Sequence, residues 1–204
     1  MPPTSNSRAH ALPFIGVRIH KNRTPTGRRT STPAKRAATY FAYGRDKQAA
    51  LDGNQRGDWL GPDGRLQSHD KVMDWAKQEA LNHRYTFEAI LSVPLGQLTP
   101  EQFRLAMQAG RAIADWRLMA HQDTQHSHAH ILFFQNKRLD KETFLSWQTD
   151  VRAELVRQEQ QAPSALLRTS LRDRTAHQAQ EMAIDMEPAT TLSAGKRHGM
   201  SLGW

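Results

Sequence analysis

The sequence predicts an α/β chain whose mainly antiparallel or mixed central sheet is covered by helices. Three observations carry that expectation. Tyr85–Val93 alternates, placing Tyr85, Phe87, Ala89, Leu91 and Val93 on one face of a strand. Two helix-start signatures, Thr32-Pro33 and Thr99-Pro100-Glu101-Gln102, stand ahead of helical stretches. Two further apolar runs, 116–122 and 126–134, lie close enough in sequence to form a hairpin.

The elements follow in order. Leu12–Ile19 reads as a short strand, and Asn22–Pro33, rich in Thr, Pro, Gly and Arg, as a loop. Thr32 as cap, Pro33 at the first helical position and Gly44 as stop predict a helix over 33–44. Asp52–Gly64, with its glycines and a proline, reads as a surface loop. A second helix is expected over 68–81, with Val72, Trp75 and Ala76 on one side. After the strand at 85–93, the helix opened by Thr99 should run to about Asp115 and bury Phe103, Ala106, Met107, Gly110 and Ile113. Asp140 then caps a helix to about Gln160, with Phe144, Trp147, Val151, Ala153, Leu155 and Val156 inward. Residues 1–11 read as a polar, basic segment, 12–161 as one domain, and 162–204 as a helical to irregular tail, with 166–186 its helical part.

Composition limits the chemistry. The chain of 204 residues has no cysteine, so a metal would be held by nitrogen and oxygen. No apolar run is long enough to span a bilayer and the polar start is unlike a signal peptide, so no membrane insertion and a cytoplasmic location are expected. The net charge of +8 is one-sided. Arg8, Arg18, Lys21, Arg23, Arg28, Arg29, Lys35, Arg36 and Arg45 all precede the first acidic residue, Asp46, so the rest of the chain is close to neutral. Such an arm points to a polyanion, although charge alone does not separate DNA from RNA or a membrane surface.

The densest chemical signal is His121-Gln-Asp123-Thr-Gln-His126-Ser-His128-Ala-His130, four of the ten histidines. Neighbouring positions on one strand face are about 6.7 Å apart, so His128 and His130 can share an ion, whereas His126 and His130, about 13.5 Å apart, cannot easily do so. A hairpin turning at Thr124-Gln125 sets His121 opposite His128 and Asp123 opposite His126. Thr-Gln is not a favoured two-residue loop, so the register could slip. In that pairing His121, His128 and His130 make a three-nitrogen site with open coordination positions, and Asp123 with His126 forms an adjoining pair to orient a ligand or relay a proton.

This histidine pattern, its apolar strand end and Gln135-Asn136-Lys137 resemble a motif of the relaxases, the mobilisation nickases of the HUH endonuclease superfamily. The resemblance extends over roughly residues 12–160 through Tyr85-Thr-Phe-Glu-Ala-Ile-Leu-Ser-Val-Pro94 and the Thr-Pro-Glu helix start. It implies an HUH relaxase-like fold and a divalent ion (Mg²⁺ or Mn²⁺, with Zn²⁺ as a further option). It implies nicking of single-stranded DNA at a plasmid origin of transfer through a 5′-phosphotyrosyl intermediate, with accessory mobilisation proteins and a coupling protein as partners. The nucleophile of such enzymes lies on the helix after the first strand. Tyr40 and Tyr43 both fit, Tyr40 better by its local pattern. Asp123 and His126 would assist, and Arg18, Lys21, Arg23, Arg28, Arg29, Lys35, Arg36 and Arg45 would hold DNA. The serine-containing motif of the family has no clear copy; Ser68 is the nearest candidate. The arginine-rich segment 21–35 departs from the family as an insertion, read either as closing over DNA or as a disordered loop. Two rival readings stay open: a replication initiator or transposase of the same superfamily, and a non-catalytic DNA-binding accessory protein.

Overall fold

The computed structural model describes residues 12–94, 97–121 and 126–161. In chain order these form β1 (Phe14–Lys21), α1 (Thr32–Tyr43), α2 (Lys47–Asp52), β2 (Trp59–Leu60), β3 (Leu66–Gln67), α3 (His69–Asn82), β4 (Tyr85–Ser92), α4 (Pro100–Ala109), β5 (Trp116–His121), β6 (His128–Gln135) and α5 (Lys141–Gln161). The strands make one six-stranded antiparallel sheet in the order β1-β4-β6-β5-β2-β3. The expected α/β class is what forms.

Strand parity divides the core. Odd positions of β4 (Phe87, Ala89, Leu91) and of β6 (Ala129, Ile131, Phe133) meet Phe103, Ala106 and Met107 of α4 and Trp147, Val151 and Leu155 of α5. Leu132 and Phe134, on the opposite face of β6, pack with Met119 of β5 under Ala34, Ala38 and Phe41 of α1 and Val72 and Ala76 of α3. The sheet is therefore buried by helices on both faces, and β6, central in it, is apolar over most of its length.

Three expectations are corrected. The helix begun at Thr99 ends at Ala109 rather than near Asp115. A Cβ on Gly110 would lie 2.4 Å from Trp147, so α5 presses on this point, and Arg111 turns out of the helix with φ +50°. Ile113 is still buried, but from an irregular segment. Second, the surface loop 52–64 carries β2, which takes the free edge of β5 through Trp59↔Met119 and Leu60↔Leu118. Two residues are too few to show alternation, and α2 was equally invisible, being a short helix held by Asp46, which accepts from Gln48 and Ala49 N–H. Third, Ala153 of α5 is exposed, whereas Trp147, Val151, Leu155 and Gln158 are buried.

The segment between β1 and α1 is an ordered loop. Buried Asn22 ties it to the start of β4: its Nδ2 donates to the His83 carbonyl (3.1 Å) and its Oδ1 accepts from Thr86 Oγ1 (2.6 Å). Its backbone N–H reaches the Arg84 carbonyl, its carbonyl accepts from Thr30, and a bridge between Arg23 and Arg29 closes the loop on itself. No helix among the described residues is long and apolar enough to cross a membrane. The 1–11 segment and the 162–204 tail lie outside the described residues.

Candidate metal centre

The β5–β6 register is the one the spacing predicts, with His121↔His128 and Met119↔His130. Parity places His121, His128 and His130 on the α1 side of the sheet, and one ring nitrogen of each lies within 4.8 Å of the others. Three nitrogens around a tetrahedral ion at bond lengths of 2.0–2.1 Å are separated by about 3.4 Å, so the side chains need only a small closure.

The hydrogen bonds fix which nitrogens face inward. His121 Nε2 is 2.8 Å from the Phe41 carbonyl, which only accepts, so Nε2 carries the hydrogen and Nδ1 a lone pair in the neutral ring. His128 Nδ1 is 3.2 Å from the His126 carbonyl, so its Nε2 carries the lone pair. Those two lone-pair nitrogens stand 3.2 Å apart. In neutral rings this is a repulsive pair unless a cation or proton sits between them, and the carbonyl partners are the outer-shell contacts that orient ligating imidazoles. His130 joins as a neutral base. Burial, then His121, His128 and Arg56, press its pKa down to about 3. The donor chemistry therefore fits a divalent metal ion.

The end of α1 builds the other wall. The last four carbonyls of a helix lack helical partners, and here three of them find one: Tyr40 O accepts from Gly44 N–H, Ala42 O from Arg56 N–H (both 2.8 Å), and Phe41 O from His121. The Phe41 ring also stacks on His130, with centroids 4.5 Å apart. Phe41 thus contacts two of the three histidines. The segment carrying Arg56 runs so close to β5 that a Cβ on Gly57 would lie 2.5 Å from the Ala120 carbonyl.

The two candidate tyrosines part company. Tyr40 is 43% exposed and presents its ring edge-on to His130 at 5.9 Å. Tyr43, expected on nearly the same face, instead packs edge-on against His69 at 5.0 Å. His69 accepts from Trp59 Nε1–H (3.2 Å), and burial lowers its pKa, which keeps it a neutral acceptor. The step of three residues rotates Tyr43 away from Tyr40 and carries it a turn along the axis, enough to leave the triad. Ser68 caps α3, accepting from Lys71 N–H. His126 lies outside the triad, exposed, and enters through its carbonyl; Asp123 is outside the described residues.

The basic residues divide as well. Arg18, Lys21, Arg23, Arg36 and Arg45 line a groove of about 750 Å³ that has Tyr40 on its wall, with Glu88 as its acidic member. Arg28 and Lys35 are exposed outside it, and Arg29 is engaged with the His83 carbonyl at 2.6 Å. Phe41 and Arg56 are the site residues sequence reasoning missed. An apolar helix residue acting through its carbonyl leaves no residue-type signal, and Arg56 sits in a glycine-containing loop far in sequence from the histidines. No family model matches the sequence, and no curated protein matches it.

Proposed function

We propose that this protein is a tyrosine-dependent DNA nicking enzyme of the relaxase kind, acting at an origin of transfer in the cytoplasm. The observation that carries the reading is the convergence of three imidazole nitrogens beside an exposed tyrosine, Tyr40, that also borders a basic groove. A divalent ion held there would supply Lewis-acid polarisation of a phosphodiester and neutralise charge gained in the transition state. A donor set of three imidazoles suits Zn²⁺ best; Mn²⁺ binds nitrogen more weakly, and Mg²⁺ prefers oxygen ligands.

The chain's own residues divide the work. Lys21, Arg23, Arg36 and Arg45 hold the phosphates of one strand along the groove, and Arg18, which also lines the adjoining cavity, contacts the same strand. Tyr40 Oη forms the bond to phosphorus while the bond from phosphorus to the 3′ oxygen breaks. The phenolic proton passes to solvent, the 3′ oxygen takes a proton from solvent and leaves as a hydroxyl, and the 5′-phosphate stays on Tyr40. Phe41 keeps His121 and His130 in place while the reaction proceeds beside them.

The test is incubation with supercoiled plasmid carrying the DNA that adjoins the protein's own coding sequence, with Mn²⁺, followed by denaturing electrophoresis. Wild-type protein should yield nicked circles and a protease-sensitive covalent adduct, and Tyr40→Phe should yield neither. Nicking without an adduct, or an adduct that survives Tyr40→Phe, would overturn the assignment. No reaction on any such DNA would favour the accessory-protein reading.

A further inference from the structure

Beyond the triad, on the same face of the sheet, lies a cavity of about 390 Å³ that α1 does not cover. Its floor is Gly16 of β1 and Ile90 of β4, which pair across the strands, and Ile90 in turn pairs with His130. Phe14 forms the far rim; it pairs with Ser92, which pairs with His128. Two strand spacings, roughly 10 Å, therefore separate the Phe14 and Gly16 backbones from the histidine strand. Tyr40, Phe41 and His130 close the near end.

Two details of this cavity are unusual for a merely incomplete core. Phe14 is 61% exposed, an aromatic ring on the rim with its apolar surface in water. Gly16 lets the Phe14 ring lie down on the floor with its other face outward: a Cβ there would meet that ring at 3.0 Å and Ile90 at 3.2 Å. Arg18 and Glu88, paired across β1 and β4, also line the cavity; Arg18 provides donors at its edge, and Glu88, whose Oε1 meets His20 Nε2 at 2.8 Å, provides its second oxygen as an acceptor. A flat floor, an exposed ring and polar edges suit a planar heterocycle with hydrogen-bonding edges.

Resting on the proposed strand-nicking reading, we infer that this cavity seats one unstacked nucleobase of the bound strand, stacked on Phe14 over Gly16, next to the phosphate held at the triad. Phe14 and Gly16 then form the seat for the base, and Arg18 and Glu88 are the specificity-determining residues. Arg18 and Glu88 face the edge of the base, where a guanidinium suits acceptors such as guanine O6 and N7, and a carboxylate suits amino groups. The aromatic contact supplies affinity for any base, and the polar pair supplies the choice among them.

The experiment needs no knowledge of the DNA target. Zn²⁺-loaded protein is titrated with the four deoxynucleoside 5′-monophosphates and, separately, with inorganic phosphate, followed by NMR. The nucleotides should bind more tightly than phosphate, shift the Phe14 ring resonances, and rank differently by base. Phe14→Ala should weaken nucleotides about fivefold or more, the low end of base stacking, and leave phosphate unchanged. Gly16→Val should block nucleotides selectively in the same way. Because Phe14 is exposed, its truncation should not disturb folding. Nucleotides binding no better than phosphate, or equally well after Phe14→Ala and Gly16→Val, would overturn the base seat while leaving the nicking reading intact. Failure of the nicking reading shows separately, as wild-type protein that forms no covalent adduct.

Discussion

Changing His128 to glutamine tests the metal centre through its electrostatics. With both rings neutral and their outer nitrogens donating to the Phe41 and His126 carbonyls, His121 Nδ1 and His128 Nε2 would present lone pairs to each other at 3.2 Å. A glutamine amide can place its N–H₂ close to where His128 Nε2 stands, turning a repulsive contact into a donated hydrogen bond to His121. A net hydrogen bond is worth about 0.5–1.5 kcal/mol. The exposed bond from His128 Nδ1 to the His126 carbonyl is lost, and water can replace it. His128→Gln should therefore match or exceed wild type in EDTA by up to about 1 kcal/mol, or about 2–4 °C in Tm for a chain of this size. With a divalent ion at one hundred times the wild-type Kd, wild type gains about 2.7 kcal/mol, and the variant, reduced to two imidazoles, gains little. The order of stabilities should invert on adding Mn²⁺ or Zn²⁺. Thermal unfolding in EDTA and in each ion reads this directly. If His128→Gln lost about 2 kcal/mol or more in EDTA, the lone-pair assignment would be wrong; if both proteins gained equally from metal, the ligand set would be wrong.

Three further outcomes are expected. The His130 pKa of about 3 lies below its unfolded value near 6.5, so the unfolded chain binds a proton first as pH falls. That contribution is fully present above about pH 6.5 and is lost towards pH 3, at no more than about 1.4 kcal/mol per pH unit. Urea titrations of metal-free protein from pH 8 to 4 should show it, and His130→Phe should flatten it. Tyr40→Phe should leave Tm within about 2 °C of wild type because it removes only a hydroxyl from a half-exposed ring, while abolishing the adduct; Tyr43→Phe should keep adduct formation. Asn22→Ala strands the buried Thr86 hydroxyl, while the His83 carbonyl keeps Arg29, and should cost about 1–3 kcal/mol in urea unfolding, with faster amide exchange over 23–30.

What could be read from the sequence is what depends on parity and spacing. Alternation in Tyr85–Val93 identified β4, and the pairing of His121 with His128 followed from a hairpin turning at Thr124-Gln125; a slip of one residue would have moved Leu132 and Phe134, and the histidines with them, to the opposite face of the sheet. The triad was legible for that reason: its three members belong to one hairpin, and a strand's period is independent of tertiary context. The separation of Tyr40 from Tyr43 was not, since both lie on one helix, and only the packing of α1 on the sheet decides which ring meets His130 and which meets His69. Contacts made by backbone were equally hidden. Phe41 reads as a core residue in any sequence, yet its carbonyl sets the tautomer of His121 and its ring lies on His130. One consequence links these contacts. The helix that carries Tyr40 is fastened to the ligands through the very next residue, so any ion that draws the three imidazoles together also pulls on the turn that presents Tyr40. Metal affinity and the placement of Tyr40 are therefore expected to change together when Phe41 is altered, even though Phe41 offers no side-chain ligand.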